Sequence, residues 1–375
     1  MTKKNQSSSK YFFLLTGENP ELAVFEFESI VSSLDLHTLI KKSPDNRIIE
    51  FHLKDEQYSD LSTEIAKSLI QRITMAHFCC EQFSKITFPN NPPSTFSKLT
   101  KMFQKESVQN LKLNLTFSVK TKRIGEPFGI FKKRSITQKF SSFLGTLIQK
   151  ENPGKKVDLE NPNEKFIVIL SQHGVWFGKL LLKSLRNEIR LRTSHNRPFF
   201  HPSSMNPILQ RTMINLAALK PGEWLLDPFC GTGGTLLEAS RLGIRSVGVE
   251  IDRRMIWGAS RNLVRDQEFS KYTHLIFGDA THLCFKNQSL SAIVTDPPYG
   301  TAASTQGLDI LELLLKFIQD INLMLKPFSR IVFAVPSDID IENHVSQIIR
   351  ADFKIFYQYV HRSLTRKILV FELTG

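Results

Sequence analysis

The sequence predicts an α/β protein in two parts: an irregular α+β half, then a half built on a parallel sheet with helices on both faces. Two observations carry that expectation. Beyond residue 203, apolar strand-like runs alternate with helical patterns, the signature of parallel strands joined by crossover helices. The first of those strands, Trp224–Asp227, runs straight into the glycine turn Pro228-Phe229-Cys230-Gly231-Thr232-Gly233-Gly234 and then a helical pattern, an arrangement that presents free backbone N–H groups to a ligand. At roughly 150 residues per domain, a chain of 375 residues is expected to form two or three units.

Taken in order, residues 1–10 are polar, rich in Lys and Ser, and expected to be a frayed tail. Residues 11–15 read as a strand, 20–34 as a helix opened by Asn19-Pro20, and 48–53 as a second strand. Apolar spacing predicts a helix over 61–83, alternation a strand over 111–120, and a further helix over 136–149 ahead of the turn Glu151-Asn152-Pro153-Gly154. The unbroken apolar run 166–170 reads as a buried strand. From Lys183 to Pro202 the periodicity breaks among Arg residues, Arg197-Pro198 and His201-Pro202, so residues 183–202 are expected to be an extended connector. Within 203–375, strands are expected near 224–227, 245–249, 274–277, 291–295 and 331–335, with helices near 235–242, 253–265 and 308–325. The apolar segments 353–360 and 368–372 have no helix between them and are expected to close the sheet as a hairpin.

Hydrophobic residues at 41% and charged residues at 23% are ordinary globular values and exclude collagen-like or mainly disordered chains. No apolar stretch approaches the roughly 20 residues that cross a bilayer, and a cytoplasmic protein is expected. Cys79, Cys80, Cys230 and Cys284 form no C-x-x-C pair, and the histidines are scattered, so neither a disulfide framework nor a metal site is expected. Charge is unevenly distributed: residues 1–200 hold 31 Lys and Arg against 19 Asp and Glu, whereas residues 201–375 hold 18 against 17. Lys120, Lys122, Arg123, Lys132, Lys133 and Arg134 fall in the most basic stretch, which suits a polyanion such as RNA. A solvated basic face that only aids solubility would carry the same charges.

The chemistry concentrates at predicted strand ends. Glu250 closes the second regular strand 23 residues beyond Asp227, where an acid can take the ribose hydroxyls of an adenosine cofactor. Asp279 follows the third strand in Gly278-Asp279-Ala280, placed to accept from an adenine amino group. The loop has no Lys and no Walker spacing, which disfavours a nucleoside triphosphate. After the fourth strand comes Asp296-Pro297-Pro298-Tyr299-Gly300. This motif suits an aromatic amine: the Asp296 carboxylate and the Pro297 carbonyl can accept its two N–H groups, the paired prolines bring no competing donor, and Tyr299 can stack on the base.

Together, Asp227 to Gly234, Glu250, Asp279 and Asp296 to Gly300 resemble class I methyltransferases that modify exocyclic amino groups. The run Arg197-Pro198-Phe199-Phe200-His201-Pro202-Ser203-Ser204-Met205-Asn206-Pro207 and the C-terminal His361-Arg362-Ser363-Leu364-Thr365-Arg366 are similar to those of archaeal-type tRNA guanine-10 N2-methyltransferases. The resemblance implies a class I Rossmann-like methyltransferase domain over 203–375, preceded by a tail and ferredoxin-like segment over 1–60 and a THUMP domain over 61–182. Gly145 to Ile148, Val157 to Asn163 and Val175 to Gly178 are similar to THUMP. It implies S-adenosylmethionine held by His201, Ser203, Met205, Asp227, Pro228, Gly231, Gly233, Glu250, Ile251, Asp279 and Ala280, with His201 to Asn206 nearest its methionine end. It implies that Asp296, Pro297, Pro298 and Tyr299 hold a guanine of tRNA and carry the catalysis. The Ala/Ser/Thr-rich loop 301–307 departs from a typical basic lid. Cys230 reads as a packing residue, since methyl transfer to an amine needs no covalent adduct. A monomer is expected, with a small activator subunit left open. Two alternatives remain: an adenine N6-methyltransferase, whose amine the same motif serves, and a noncatalytic RNA-binding protein that retains the fold.

Overall fold

The computed structural model describes residues 10–54, 60–88, 92–103, 108, 111, 113–126, 129–133, 135–265, 271–298, 310–361 and 364–374. The chain divides into two compact units, one of residues 1–24, 36–71 and 76–184, the other of residues 25–35, 72–75 and 185–375. Among the described residues, no helix is long and apolar enough to cross a membrane.

The first unit contains β1 (Lys10–Leu15), the start of α1 (Pro20–Ser32), β2 (Thr38–Lys42), β3 (Ile48–Leu53), α2 (Ser62–Arg72), β4 (Ala76–Thr87), α3 (Phe96–Lys101), β5 (Thr116–Arg123), α4 (Ser135–Glu151), β6 (Lys156–Val157), β7 (Glu164–Ser171) and β8 (Gly174–Lys183). Its strands make one mixed sheet in the order β2-β3-β1-β4-β8-β7-β5-β6. The expected helix over 61–83 stops at Arg72, and β4 follows. β4 pairs with β1 on one side and β8 on the other, and Cys79 and Cys80 are both fully buried. A strand covered on both faces loses its alternation, so its apolar residues can imitate helical spacing. The strand expected over 111–120 starts later, at Thr116, where Asn163 Oδ1 accepts from the Thr116 amide at 3.1 Å. Helix α4 lays Phe140, Leu144 and Ile148 on Phe117, Phe166 and Phe177 of the sheet.

The second unit continues with α5 (Arg186–Arg190), α6 (Pro207–Leu216), β9 (Trp224–Asp227), α7 (Gly234–Ser240), β10 (Arg245–Glu250), α8 (Arg253–Arg265), β11 (Thr273–Phe277), β12 (Leu290–Thr295), α9 (Ile310–Ile321), β13 (Leu325–Pro336), α10 (Glu342–Ile348), β14 (Ala351–His361) and β15 (Leu364–Leu373). The sheet order is β11-β10-β9-β12-β13-β15-β14. The first five strands are parallel. The last two form the expected hairpin, and β15 runs antiparallel beside β13 while β14 takes the edge. The expected connector is not extended throughout: it contains α5 and a 3-10 turn at Ser194–Asn196. Arg192 from this stretch, Arg211 of α6 and Arg241 all bind Glu238 of α7, whose side chain is fully buried. Helix α10 has no counterpart among the sequence-based expectations. It is short, and its docking is fixed by the Glu342 pair with buried Lys367 at 2.8 Å.

Segments 25–35 and 72–75 join this unit through a second buried carboxylate. Glu26 accepts from the Thr74 amide and hydroxyl, the Met75 amide and the Asn215 side chain, at 2.7–3.0 Å. Burial raises its pKa against those hydrogen bonds.

Candidate active site

The parallel strands end at one edge of the sheet, and the order changes direction beside β9, which is where open α/β folds open a crevice for a ligand. Four acids stand at or just past those ends. Asp227 terminates β9, Glu250 terminates β10, Asp279 follows β11 and Asp296 follows β12.

Their environments differ. Asp227 is 2% exposed, and its Oδ1 accepts from the Thr295 hydroxyl at 2.7 Å and the Phe229 amide at 3.3 Å. Burial, aided by the nearby negative Asp296, pushes its pKa up to about 7 against those hydrogen bonds. It therefore ties β9 to β12 beneath the crevice. Glu250 is oriented by two backbone donors, Gly231 N–H on Oε2 and Asp252 N–H on Oε1, both at 2.9 Å. Burial raises its pKa. A carboxylate offers about four lone-pair directions, so Glu250 keeps capacity for a pair of vicinal hydroxyls. Asp279 Oδ1 accepts from the Thr281 amide at 2.8 Å and hydroxyl at 2.9 Å. Partial burial works to raise its pKa, but these bonds and His282 hold it below the ordinary value.

The glycine turn fits close backbone approach. Gly231 and Gly233 have φ of 52° and 77°, a region costly for other residues. A Cβ on Gly248 would lie 2.9 Å from Cys230 Sγ. Cys230 is 6% exposed and burial raises its thiol pKa well above the usual range, which fits a packing role.

The run 197–207 is brought to this turn. The Ser204 hydroxyl lies 3.1 Å from that of Thr232, and buried Asn262 of α8 donates to the Phe199 and Thr232 carbonyls at 3.1 and 3.0 Å. His201 Nδ1 is 2.7 Å from Ser203 Oγ, Met205 is buried, and Asn206 caps α6 by accepting from the Ile208 amide at 2.8 Å.

One partner of the site comes from the C-terminal motif, where the sequence alone assigns it no role. Arg366, at the start of β15, donates to Asp296 Oδ2 at 3.1 Å, both side chains being largely buried. The signal was present, since Arg366 ends His361 to Arg366, but only the antiparallel return of β15, opposite Pro336 of β13, brings it to the Asp296 turn. Tyr299 and Gly300 lie outside the described residues, as does the loop 301–307.

Known proteins are similar to this chain. A family model described as RMKL-like, methyltransferase domain, matches residues 194–368, and one for DNA methylases matches 56–260, stopping short of Asp296. The tRNA (guanine(10)-N2)-dimethyltransferase of Methanothermobacter thermautotrophicus is 39% identical over 61% of this chain and 67% of its own length. The chain belongs to the tRNA (guanine(10)-N2)-methyltransferase family. Fellow members from Methanocaldococcus jannaschii and Pyrococcus abyssi are each 32% identical, over 58% and 61% of this chain and 60% and 67% of their own lengths. The chain thus spans about two thirds of these relatives. For this member of the tRNA (guanine(10)-N2)-methyltransferase family, solved structures agree on the fold. TrmN from Thermus thermophilus superposes with TM-score 0.51 over 97% of this chain and 99% of its own at 18% identity. A putative methyltransferase complexed with SAH does so with TM-score 0.52 over 99% of each chain at 16% identity.

The basic residues of the first unit fall on β5 and the turn after it. Arg123 donates to the Lys132 carbonyl at 3.3 Å, and Lys120, Lys132 and Lys133 are exposed. Burial lowers the Lys122 pKa, and the positive neighbours Lys120 and Lys183 lower it further. Arg134 lies outside the described residues.

Proposed function

We propose that this protein is a tRNA guanine N2-methyltransferase that transfers one or two methyl groups from S-adenosylmethionine to guanosine 10. The observation that carries the reading is the Asp296-Pro297-Pro298 turn at the end of β12, beside β9, with its acid held by Arg366. The names of the relatives supply the substrate, and the acid-rimmed crevice supports the chemistry.

Glu250 would hold the ribose, Asp279 and Ala280 the adenine side, and Gly231 and Gly233 the close-packed backbone face. His201, Ser203 and Met205 would line the methionine end. When bound, S-adenosylmethionine supplies an electrophilic methyl on a sulfonium. The residues supply what guanine N2 lacks, because its lone pair is delocalised into the ring. Asp296 and the Pro297 carbonyl accept its two N–H groups and draw the nitrogen toward tetrahedral geometry. As positive charge develops there, the Asp296 carboxylate stabilises it and then takes the proton on its way to solvent. Arg366, donating to its Oδ2 at 3.1 Å, keeps that carboxylate aimed. Residues 1–60 as a ferredoxin-like segment and 61–182 as a THUMP domain would grip the RNA through Lys120, Lys122, Arg123, Lys132 and Lys133, a reading that the basic strand β5 supports.

The test is to incubate the protein with S-adenosylmethionine and unmodified tRNA transcripts and to map modified nucleosides by mass spectrometry. N2-methylated guanosine at position 10 is expected. Methyl on adenine N6, or none on RNA, would refute the reading.

A further inference from the structure

We propose that the exposed face of α8 in the catalytic unit is a second RNA-contacting surface, one that grips substrate phosphates and offers an aromatic platform to a nucleotide. The inference rests on the tRNA reading above, and residue totals do not disclose it.

Helix α8 is amphipathic. Gly258, Ala259, Asn262 and Leu263 are buried against the unit. On the opposite face, Arg254, Trp257, Arg261 and Arg265 follow one another at helical spacing, and all four are exposed. Trp257 leaves 54% of its surface in solvent, which an apolar core residue would not do. The Arg261 guanidinium sits 4.9 Å from the centroid of that ring, and Arg253 sits 5.1 Å from the centroid of Phe277, itself half exposed. Arginine stacked on an aromatic ring keeps its outward N–H groups for a phosphate, and exposed aromatics interleaved with cations are what single-stranded or looped RNA stacks on.

The distribution of charge in this unit strengthens the case. Residues 201–375 are almost neutral in sum, and several of their acids are held in ion pairs. Glu238 takes three arginines, Glu342 takes Lys367, Glu372 takes Arg330 and Asp296 takes Arg366. Along Arg253–Arg265 there is no acid. Asp252 ahead of it caps the helix by accepting from the Arg254 amide at 2.7 Å. Asp266 and Glu268 lie outside the described residues. Folding thus turns an acid-free run of arginines in a nearly neutral stretch outward as a cationic stripe. The stripe is built on rigid backbone, because Phe199 packs on Gly258 and Arg265 donates to the Asn196 carbonyl at 2.8 Å.

The experiment compares wild type, Arg254→Glu with Arg261→Glu, Trp257→Ala and Arg261→Lys. Binding to unmodified tRNA transcript is titrated across salt concentrations, and thermal stabilisation by S-adenosylmethionine reports that fold and cofactor site are intact. The double reversal should weaken binding about tenfold or more and lower the slope of log affinity against log salt by about one for each phosphate the protein no longer neutralises. Trp257→Ala should weaken binding severalfold with the slope unchanged, and Arg261→Lys should keep the slope. If the double variant binds as wild type does, the stripe is merely solvated and the proposal fails. If it instead abolishes self-association of the wild type while tRNA binding is kept, the surface is a protein contact and the proposal fails. Should wild type itself neither bind nor methylate tRNA, the failure lies with the functional reading, a pattern distinct from the other two.

Discussion

Asp227 and Asp296 belong to the same edge of one sheet, yet their surroundings differ. Asp227 is enclosed and bonded to Thr295, with its pKa pushed up to about 7 from an ordinary 3.8. Between those values the unfolded chain has released the proton while the folded protein retains it, so this residue's stabilising contribution is whole below pH 4 and fades as pH rises through 7. The gap corresponds to on the order of 4 kcal/mol. Asp227→Asn, which keeps the acceptor for Thr295, should flatten the decline of the thermal midpoint between pH 4 and 7 and melt higher than wild type at pH 8; an unaltered pH profile would exclude the enclosed-proton account. Asp296, by contrast, is paired with Arg366 at 3.1 Å, and in the proposed reaction it serves the amine. Asp296→Ala should cut methylation on the order of a thousandfold, as loss of a preorganised electrostatic group does, while tRNA affinity stays within a few fold. A large loss of affinity would show that the turn grips RNA instead of acting on it.

At the scale of elements, the sequence was most legible where strands and helices alternate in short βα units and least where partners distant in the chain decide an element. The parallel strands and their helices fell where the alternation put them, because each βα unit writes its own apolar periodicity. Strand β4 was missed because its start, Phe78 to Cys80, is buried without alternation and prolongs the apolar spacing of α2. Helix α10 was missed because its position depends on Lys367, 25 residues away along the chain. The docking of α8 against 197–207 likewise depends on partners distant in sequence. A Cβ on Gly258 would run into the Phe199 ring. Gly258→Ala should therefore displace the run that reaches the glycine turn, costing about 1–3 kcal/mol as overpacking does and weakening S-adenosylmethionine affinity more than tRNA affinity. Isothermal titration with each ligand would check this, and equal losses for both would mean general unfolding.

Across the whole molecule, the two units divide the charge differently. The first carries a net excess that is visible by counting, and the second is nearly neutral but gathers arginines on the exposed face of α8. Reversing Lys132 and Lys133 to Glu should weaken tRNA binding and flatten its salt dependence by about one unit of slope for every phosphate left without its cation, leaving stabilisation by S-adenosylmethionine intact. A slope that does not move would reduce that cluster to a solubility feature.

By itself the sequence determined the parallel-sheet half, the glycine turn, the acids at its strand ends and the Asp296-Pro297-Pro298 turn. Those features depend on neighbours within a few dozen residues, and local periodicity and turn chemistry record them. The tertiary structure alone decided which acids are enclosed and which face the crevice, that Arg366 returns to Asp296, and where a neutral stretch turns its arginines outward. Each depends on residues far apart in the chain, and desolvation and ion pairing act on groups only after the fold has brought them together.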